Sequence, residues 1–504
     1  MMSAGVLGAL KPHLPILVVL LPLFGALLCA LTRRGTRAWL ISLIIALMLP
    51  IVSVLMLFDV LQTGQAITYK LGNWDAPFGI VYKVDRLSAL VMSLITVIGA
   101  VIMPFARKSV AYEIDSHLQS WFYTMYLLCL AGLLGITVTG DAFNAFVFLE
   151  ISSLATYVLI ALGKHRRALI ASYQYLIMGT IGATFYVIGI GLLYIVTGSL
   201  NFDDIALRLG PAIIERSGPV MAALGFITVG LCLKLALFPL HVWLPNAYAY
   251  APSMATVFLA GTATKAAVYL LLRLLFSVFG QSVPFESMPV DDVLLVLGLA
   301  GMFIAAFVAV FEQNTERMLA YSSVSQMGYI ILGIGLANVS GLTGALTHIV
   351  NHAVMKTALF LALGSVFYRI GSVRLDDMAG LGRKMPLTMS AFGIAGLGLI
   401  GTPGTAGFIS KWYLVLGAVE KGWWFIVFAI VLSSLVSVVY LGRIWEVLWF
   451  REPSTAAQKA KDPPLMMLVP LWVLAIATVY LGFDTRATVG FAAPAAEALF
   501  GGLK

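Results

Sequence analysis

Two histidines and a lysine lie inside an apolar run, HIVNHAVMKTALF at residues 348–360. His348, His352 and Lys356 recur at every fourth position, and on an α-helix each one is rotated from the previous one by only about 40°. They therefore form a single stripe about 12 Å long. Histidine titrates near neutral pH, and a lysine removed from water can be brought toward the same range. The spacing is typical of a proton relay along a membrane helix.

Other interpretations of this stripe remain open. A histidine can bond to a neighbouring backbone carbonyl, and a lysine can snorkel to the membrane surface, although Lys356 lies a dozen or so residues from either end of its apolar run. The HxxxH spacing could also hold a metal ion or a haem, but no carboxylate or cysteine accompanies it. The three cysteines, Cys29, Cys129 and Cys232, show no pair spacing. We expect no metal site and no cofactor.

Further charged groups occur far from the ends of apolar segments. A charge at mid-membrane costs about 2.5 to 3.5 kcal/mol even on insertion scales, so such groups persist where a partner or water compensates them. The additional residues are Glu150, Lys234, Lys265, Arg273 and Lys411, with His241 as a titratable companion. Arg273 lies near its helix end, and we expect it to snorkel.

Glu150, near the middle of its span, is predicted to be the only buried carboxylate. Lys234 is its natural partner by depth, and Lys265 lies at a similar depth and would compete for the same charge. An opposite charge within a few ångströms changes the proton affinity of a lysine, so a carboxylate that pairs and unpairs could drive proton transfer. A static ion pair that only joins helices is the alternative.

Two spans carry helix-breaking residues beside a lysine. In GLCLKLALFPLHVWLP, residues 230–245, Pro239 predicts a break one turn after Lys234 that frees carbonyl groups beside it. In GLIGTPGTAGFISKW, residues 398–412, glycines and a proline precede Lys411. The two helix interruptions, each beside a lysine, suggest that the chain has two related halves with a polar pocket in each. His241 suits either a relay or packing, and prolines that merely relieve packing are the alternative.

The composition indicates whether these charged groups lie in a water-soluble protein or in a membrane. Of 504 residues, 61% are hydrophobic and only 11% are charged, against about a quarter in soluble domains. Fourteen apolar stretches of about 20 residues are candidate membrane-spanning helices. They lie near 14–31, 38–58, 87–106, 119–138, 142–163, 172–197, 219–246, 253–279, 293–311, 318–337, 341–368, 387–418, 423–442 and 464–483. The sequence predicts an all-α integral membrane protein.

The basic residues supply an orientation. Most lysines and arginines outside the spans fall in loops after odd-numbered spans, and acidic residues divide the other way. Because basic loops stay on the cytoplasmic side, both termini are predicted to face outward. No stretch between spans is long enough to form its own core, and the positive net charge then reflects orientation rather than nucleic-acid binding.

Together these motifs carry a family resemblance. Glu150 is followed by LKLALFPLHVWLPNAYAYAP with Lys234, then by Lys265, AYSSVSQMGYI at 320–330 and HIVNHAVMKTALF. In this order, over about residues 80–450, the chain resembles the antiporter-like subunits shared by respiratory complex I, membrane-bound hydrogenases and Mrp-type sodium/proton antiporters.

The resemblance implies a fold and a set of roles. It implies fourteen helices with two inverted five-helix repeats, each containing a broken helix. The divisions are a three-helix segment at 1–115, repeats at 116–280 and 281–450, and a C-terminal helix and tail at 451–504. By resemblance, Glu150 and Lys234 form an ion pair, Lys265 connects the halves, Lys411 serves the second broken helix, and the central axis comprises His348, His352 and Lys356.

The branch of the family follows from finer features. Complex I subunits of the M type carry glutamate at the position of Lys411, and those of the L type extend into a lateral helix. LEISSLATYVLIALG and the short C-terminal segment look most like the D-type subunits of Mrp antiporters. We therefore expect a proton-translocating subunit of a multisubunit sodium/proton antiporter in the plasma membrane, in contact with other subunits and lipid. A subunit of a complex I-type NADH:quinone oxidoreductase or hydrogenase pump, and a purely structural membrane scaffold, are the alternatives.

Overall fold

The computed structural model describes residues 11–501, apart from the side chains of residues 215 and 216, and this part of the chain is mostly α-helical. The first half contains α1 (Leu14–Leu31), α2 (Gly35–Thr63), β1 (Ile67–Lys70), β2 (Val81–Val84), α3 (Arg86–Val101), α4 (Met103–Glu113), α5 (Gln119–Val138), α6 (Ala142–Ala161), α7 (Arg166–Thr197), α8 (Phe202–Lys234), α9 (Trp243–Tyr250) and α10 (Ser253–Leu272). The second half contains α11 (Val290–Phe311), α12 (Thr315–Gly335), α13 (Val339–Ile370), α14 (Leu381–Lys384), α15 (Pro386–Ile400), α16 (Ala406–Glu420), α17 (Trp424–Phe450), α18 (Leu465–Phe483) and α19 (Val489–Gly501). The two short strands pair antiparallel, with Ile67 opposite Val84.

The helices confirm a multi-span membrane protein. Among the described residues, eleven helices are long and apolar enough to cross a membrane, or twelve when α3 and α4, which meet at 55°, count as one bent span. Each of the fourteen predicted segments overlaps at least one helix, although fourteen spans are not confirmed. The lower count arises because the interrupted pair α15 and α16 are short and because α12 carries a polar face.

Both predicted helix interruptions are present. α8 ends at Lys234 and helix resumes at Trp243, whereas α15 ends at Ile400 and helix resumes at Ala406. The second interruption uses Gly401 and Gly404 at φ of 89° and 83°, a backbone region that glycine enters without steric cost. The first begins at Lys234 itself, one turn earlier than the proline suggested.

One helix forms the centre of the bundle. Every residue of α13 from Gly341 to Val366 is buried, so this helix has no face toward lipid or water. A helix that is buried all round places its polar side chains inside the protein. The stripe of two histidines and a lysine therefore lies in the interior, between α12, α16 and α10.

Arg273 does not snorkel, so that prediction is wrong. Its side chain is buried, and its Nη1 and Nη2 atoms donate to the carboxylate of Asp85 at 2.6 and 2.7 Å. Nη2 also contacts the Ser88 and Tyr269 hydroxyls at 3.0 and 3.2 Å. Burial opposes ionisation of Asp85, but the charge and hydrogen bonds of Arg273 outweigh it and lower the pKa of Asp85 to about 2. The pair ties the start of α3 to the end of α10.

Replacement of Arg273 should destabilise the bundle. In Arg273→Met the Asp85 carboxylate keeps its charge but loses its partner, and because 29% of its side chain is exposed we expect a loss of about 1 to 3 kcal/mol. Since the folded pKa is lowered, the pair contributes fully above about pH 4 and its contribution disappears as the pH falls toward 2. Thermal unfolding in detergent should therefore show a Tm difference from wild type that shrinks below pH 4. Arg273→Lys is the control that keeps the charge, and equal Tm values for wild type and Arg273→Met at pH 7 would contradict this role.

Candidate proton-transfer site

Glu150 on α6 pairs with Lys234 at the end of α8. The Lys234 Nζ atom lies 3.5 Å from Glu150 Oε1 and donates a hydrogen bond to the Ser153 hydroxyl at 2.7 Å. The lysine side chain is 4% exposed, whereas that of Glu150 is 25% exposed. Lys234 therefore has two alternative oxygen partners, one charged and one neutral, one helical turn apart.

The prediction that Glu150 is the only buried carboxylate is wrong. Glu150 is partly exposed, and Glu113 and Glu316 are more deeply buried, at 8% and 7% exposure. The latter two escape sequence-based prediction because they lie at the end of α4 and the start of α12, where the sequence pattern indicates loops. Their burial depends on neighbours that are distant in the sequence, which no local pattern reveals.

A small cavity adjoins Lys234 on the side that faces α10. It has a volume of about 20 Å³, and its lining includes the hydroxyl-bearing residues Ser152, Ser153 and Thr156 together with Ala263 of α10. This volume suffices for one water molecule, and the hydroxyls and the ammonium group supply the partners that such a water needs. The cavity lies on the way from Lys234 to the helix that carries Lys265.

Lys265 lies deep in the bundle. Its side chain is fully buried, and its Nζ atom donates to the backbone carbonyl of Ala260 on the same helix. It is close enough to Lys356 and His352 for its charge to act on both. Lys265 thus lies near the stripe on α13, and its helix also lines the cavity beside Lys234.

The two histidines of the stripe differ in their hydrogen bonding, and among residues 11–501 neither side chain bonds to a backbone group. His348 Nε2 lies 2.9 Å from the Gln326 amide oxygen, and Nδ1 lies 2.7 Å from the Ser410 hydroxyl. The ring of His352 stacks on that of His348, with centroids 5.9 Å apart and an interplanar angle of 2°. Both ring nitrogens of His352 are buried and have no hydrogen-bond partner among the described residues. A buried polar group in this state costs about 1 to 3 kcal/mol, which favours a role for it beyond packing.

Lys356 completes the stripe without snorkelling. Its side chain is fully buried, and its Nζ atom donates to the Leu319 carbonyl at 2.7 Å and to the Ser322 hydroxyl, both on α12. Ser322 in turn donates to the Leu319 carbonyl at 2.9 Å. The ammonium group is therefore held at α12 by two neutral oxygens.

Lys411 lies on the second turn of α16, and its side chain reaches back to the second interruption, as its position in the sequence suggested. Its Nζ atom donates to the Ile400 carbonyl at 2.7 Å, the Leu399 carbonyl at 3.3 Å and the Ser434 hydroxyl at 2.9 Å. It also lies 4.6 Å from the centre of the Tyr329 ring, a cation–π distance. The expected pocket of freed carbonyls is thus present here.

In contrast to the expectation, the described part of the chain shows no such pocket of free carbonyls at the first interruption. The terminal carbonyls of α8 accept hydrogen bonds from the following loop amides, and the Leu233 carbonyl also accepts from Trp243 Nε1 at 3.0 Å. His241 lies in this interruption and packs against Phe238 and Tyr321, with ring centroids 5.4 and 6.2 Å away. No hydrogen bond among the described residues joins its side chain to the groups above.

Side-chain contacts connect the stripe with Lys411. Ser410, which precedes Lys411, contacts His348, and the Tyr329 ring lies 5.7 Å from the His348 ring and under the lysine. Contacts therefore join Lys411 to the α13 stripe, and the small cavity separates the Glu150–Lys234 pair from α10, the helix that carries Lys265. Such an arrangement can pass protons stepwise between nitrogen and oxygen atoms, with water across the remaining gaps.

Comparison with known proteins places these residues in a family. Residues 139–437, which include all seven site residues, match the sequence profile of the NADH:quinone oxidoreductase/Mrp antiporter transmembrane family. The NADH-quinone oxidoreductase subunit N of Desulforudis audaxviator is 41% identical, over 93% of this chain and 95% of the relative. The D-type subunit of the Na(+)/H(+) antiporter of Alkalihalophilus pseudofirmus is 30% identical over 94% of each chain. A chain of the Mrp complex from a Dietzia species has a TM-score of 0.89 and 25% identity, with 98% of both chains covered.

The second interruption depends on a close approach of its two half-helices, which can be tested. A Cβ atom on Gly407 would lie 1.9 Å from the backbone oxygen of Gly398, so Gly407→Ala must push α16 away from the end of α15. We expect a loss of about 1 to 3 kcal/mol, typical of overpacking, together with loss of the Lys411 contacts to Leu399 and Ile400. Thermal unfolding of the purified protein measures the first effect. Gly442→Ala, whose Cβ atom meets nothing within 4 Å, is the matched control, and identical Tm values for the two variants would contradict the close contact.

Proposed function

The chain belongs to the NADH:quinone oxidoreductase/Mrp antiporter family, and from this premise we propose that it is the proton-translocating membrane subunit of a multisubunit sodium/proton antiporter. The observation that carries the proposal is the succession of four buried lysines and two buried histidines through the centre of a membrane bundle. Such groups are costly in a bilayer, and they are typical of proton pathways. The resemblance to a chain of a solved Mrp complex supports partner subunits.

The Glu150–Lys234 pair is the coupling element in this proposal. When Glu150 moves toward its exposed side, Lys234 keeps only the neutral Ser153 hydroxyl and binds its proton less tightly. The proton then passes through the water-sized cavity toward Lys265. A charge on Lys265 repels charge on Lys356 and His352 and favours movement of a proton toward Lys411.

We propose further that the chain forms fourteen spans with two inverted repeats, at 116–280 and 281–450, flanked by segments 1–115 and 451–504. The fourteen apolar segments of the sequence, each of which overlaps a helix, and the two helix interruptions near Lys234 and Lys411 support this division. The distribution of basic loops supports a plasma-membrane orientation with both termini outside.

A second candidate is a proton-pumping subunit of a complex I-type NADH:quinone oxidoreductase or a membrane-bound hydrogenase. The 41% identity to a protein named as subunit N of an NADH-quinone oxidoreductase favours it. The buried site serves either function, and the partner proteins are different in the two cases. Isolation of the intact complex distinguishes the two candidates. Co-purified redox subunits would support the second candidate, whereas co-purified antiporter subunits without redox subunits would support the first.

Removal of the coupling pair should stop transport. Glu150→Ala takes away the mobile charge and Lys234→Ala takes away the proton carrier, so we expect at least a tenfold lower rate in each while the complex still assembles. Quenching of a pH-sensitive dye in inverted membrane vesicles, on addition of sodium, measures the rate. Lys459→Ala, an exposed lysine outside the helices, is the control. Normal transport in both pair variants would reject the proposal.

Replacement of Lys356 distinguishes a proton relay from a structural scaffold. Lys356→Met keeps the length and apolar bulk of the side chain but removes its proton and its hydrogen bonds to α12. A relay should lose transport and retain a normal amount of assembled complex, measured by native gel electrophoresis of solubilised membranes. Loss of assembly with normal transport per remaining complex is the result expected of a scaffold and would contradict the relay.

A further inference from the structure

A cavity of about 290 Å³ lies at the face formed by the loops after the odd-numbered predicted spans, hereafter the basic face. It lies where the end of α4, the start of α10 and the start of α12 meet the loop after α13. Two buried carboxylates, Glu113 and Glu316, line it from different helices. The charged or titratable residues that share the lining are Lys164, His165, Tyr250 and Arg374.

The two carboxylates differ in how they are held. Glu113 accepts hydrogen bonds from the Ser109 hydroxyl at 2.7 Å and from the backbone N–H of Ser253, the first residue of α10, at 2.9 Å. Glu316 is 7% exposed and lines the cavity, and among the described residues its carboxyl group makes no hydrogen bond and no ion pair. A buried carboxylate that lines a cavity without a donor is free to take up a proton from it.

The negative charges act on each other. Glu113 is close enough to Glu316 for their charges to interact. Because two like charges in a confined cavity repel, a proton that enters the cavity is stabilised by the pair. The positive side chains of Lys164 and Arg374 in the same lining repel any cation that enters, whether it is a proton or a metal ion. A proton differs from a metal ion because it forms an O–H bond with one carboxylate and needs no set of further oxygen ligands.

Glu316 and the hydrogen-bond partners of Lys356 lie on one helix, α12. Leu319 lies one turn after Glu316 on α12, and Ser322 lies about one further turn on, a rise of about 5 to 9 Å. The Leu319 carbonyl and the Ser322 hydroxyl are the partners of the Lys356 ammonium group. Ser323 also donates to the Leu319 carbonyl at 3.0 Å, so hydroxyl groups cover this part of the helix.

We propose that Glu316, supported by Glu113, is the proton-loading site through which Lys356 exchanges protons with the basic face. The Glu316 carboxylate takes up a proton that enters the cavity from bulk water at the basic face, and it becomes a neutral carboxylic acid. It then releases a proton to water that spans the rise of about 9 Å along α12 between Glu316 and Ser322. The Ser322 hydroxyl accepts a proton from this water and passes its own to a neutral Lys356 amine, which becomes an ammonium group, and the Glu316 carboxylate is restored. This inference rests on the proposed function, because it supplies the relay with protons.

Substitution of Glu316 tests the step. Glu316→Gln preserves the shape of the side chain but cannot carry a proton, so we expect at least a tenfold lower transport rate in vesicles with normal assembly. Glu316→Asp retains a carboxyl group and should recover part of the rate. Glu452→Gln, which neutralises a carboxylate that is 87% exposed, is the control.

Two outcomes distinguish the loading site from the proposed function. If Lys356→Met stops transport and Glu316→Gln transports at the wild-type rate, the loading site is rejected and the relay stands. If neither variant loses transport, the proposed function is rejected as well.

A chemical measurement on the wild-type complex does not depend on variants. A hydrophobic carbodiimide reacts with protonated carboxyl groups in poorly hydrated sites, so it should modify Glu316 and do so less as the pH rises. Mass spectrometry of the digested protein locates the adduct and gives its yield. An adduct on Glu316 whose yield falls with rising pH supports the loading site. Absence of the adduct across the pH range in which vesicles transport would overturn it.

Discussion

The cost of holding an ammonium group away from water governs this structure. Four lysines lie inside a bundle of apolar helices, and each must find an oxygen atom to replace its lost hydration. Lys234 has the Glu150 carboxylate and a serine hydroxyl, Lys265 has a carbonyl of its own helix, Lys356 has a carbonyl and a hydroxyl of α12, and Lys411 has the open end of α15. Most of these partners are neutral, so the lysines are held in position without being fixed in one protonation state.

The two interrupted helices solve this problem differently. At Lys411 the interruption itself supplies the oxygens, because α15 ends with carbonyl groups that point at the ammonium group. At Lys234 the corresponding carbonyls are taken by loop amides and Trp243, and a carboxylate from another helix supplies the charge. A carboxylate on a side chain can move, whereas carbonyls at a helix end cannot. Because of this asymmetry, we propose that Glu150 is the mobile group of the coupling step and that Lys411 is a proton carrier held in one position.

The sequence predicted those features that depend on neighbours in the chain. The helical segments follow from apolar stretches, the interruptions from proline and glycine, and the α13 stripe from a spacing of four residues. Features that depend on distant partners were missed. The position of Arg273 is set by Asp85, which lies 188 residues earlier, and the burial of Glu113 and Glu316 is set by helices that meet only in the fold. The predicted number of spans was confirmed only in part. The sequence predicted fourteen, whereas eleven or twelve helices among the described residues are long and apolar enough, because the interrupted helices are short and α12 is polar.

Proton transfer between Lys234, Lys265, Lys356 and Lys411 requires a hydrated path that joins them through the interior. The most direct test is an electron-microscopy map of the assembled complex in a lipid bilayer, at a resolution that shows ordered water. We expect a water molecule in the cavity between Lys234 and α10, bonded to Ser153 or Thr156, and further waters that bridge the remaining gaps between the lysines. Dry apolar side chains packed between these lysines, with no water within hydrogen-bond distance of any ammonium group, would contradict such a path.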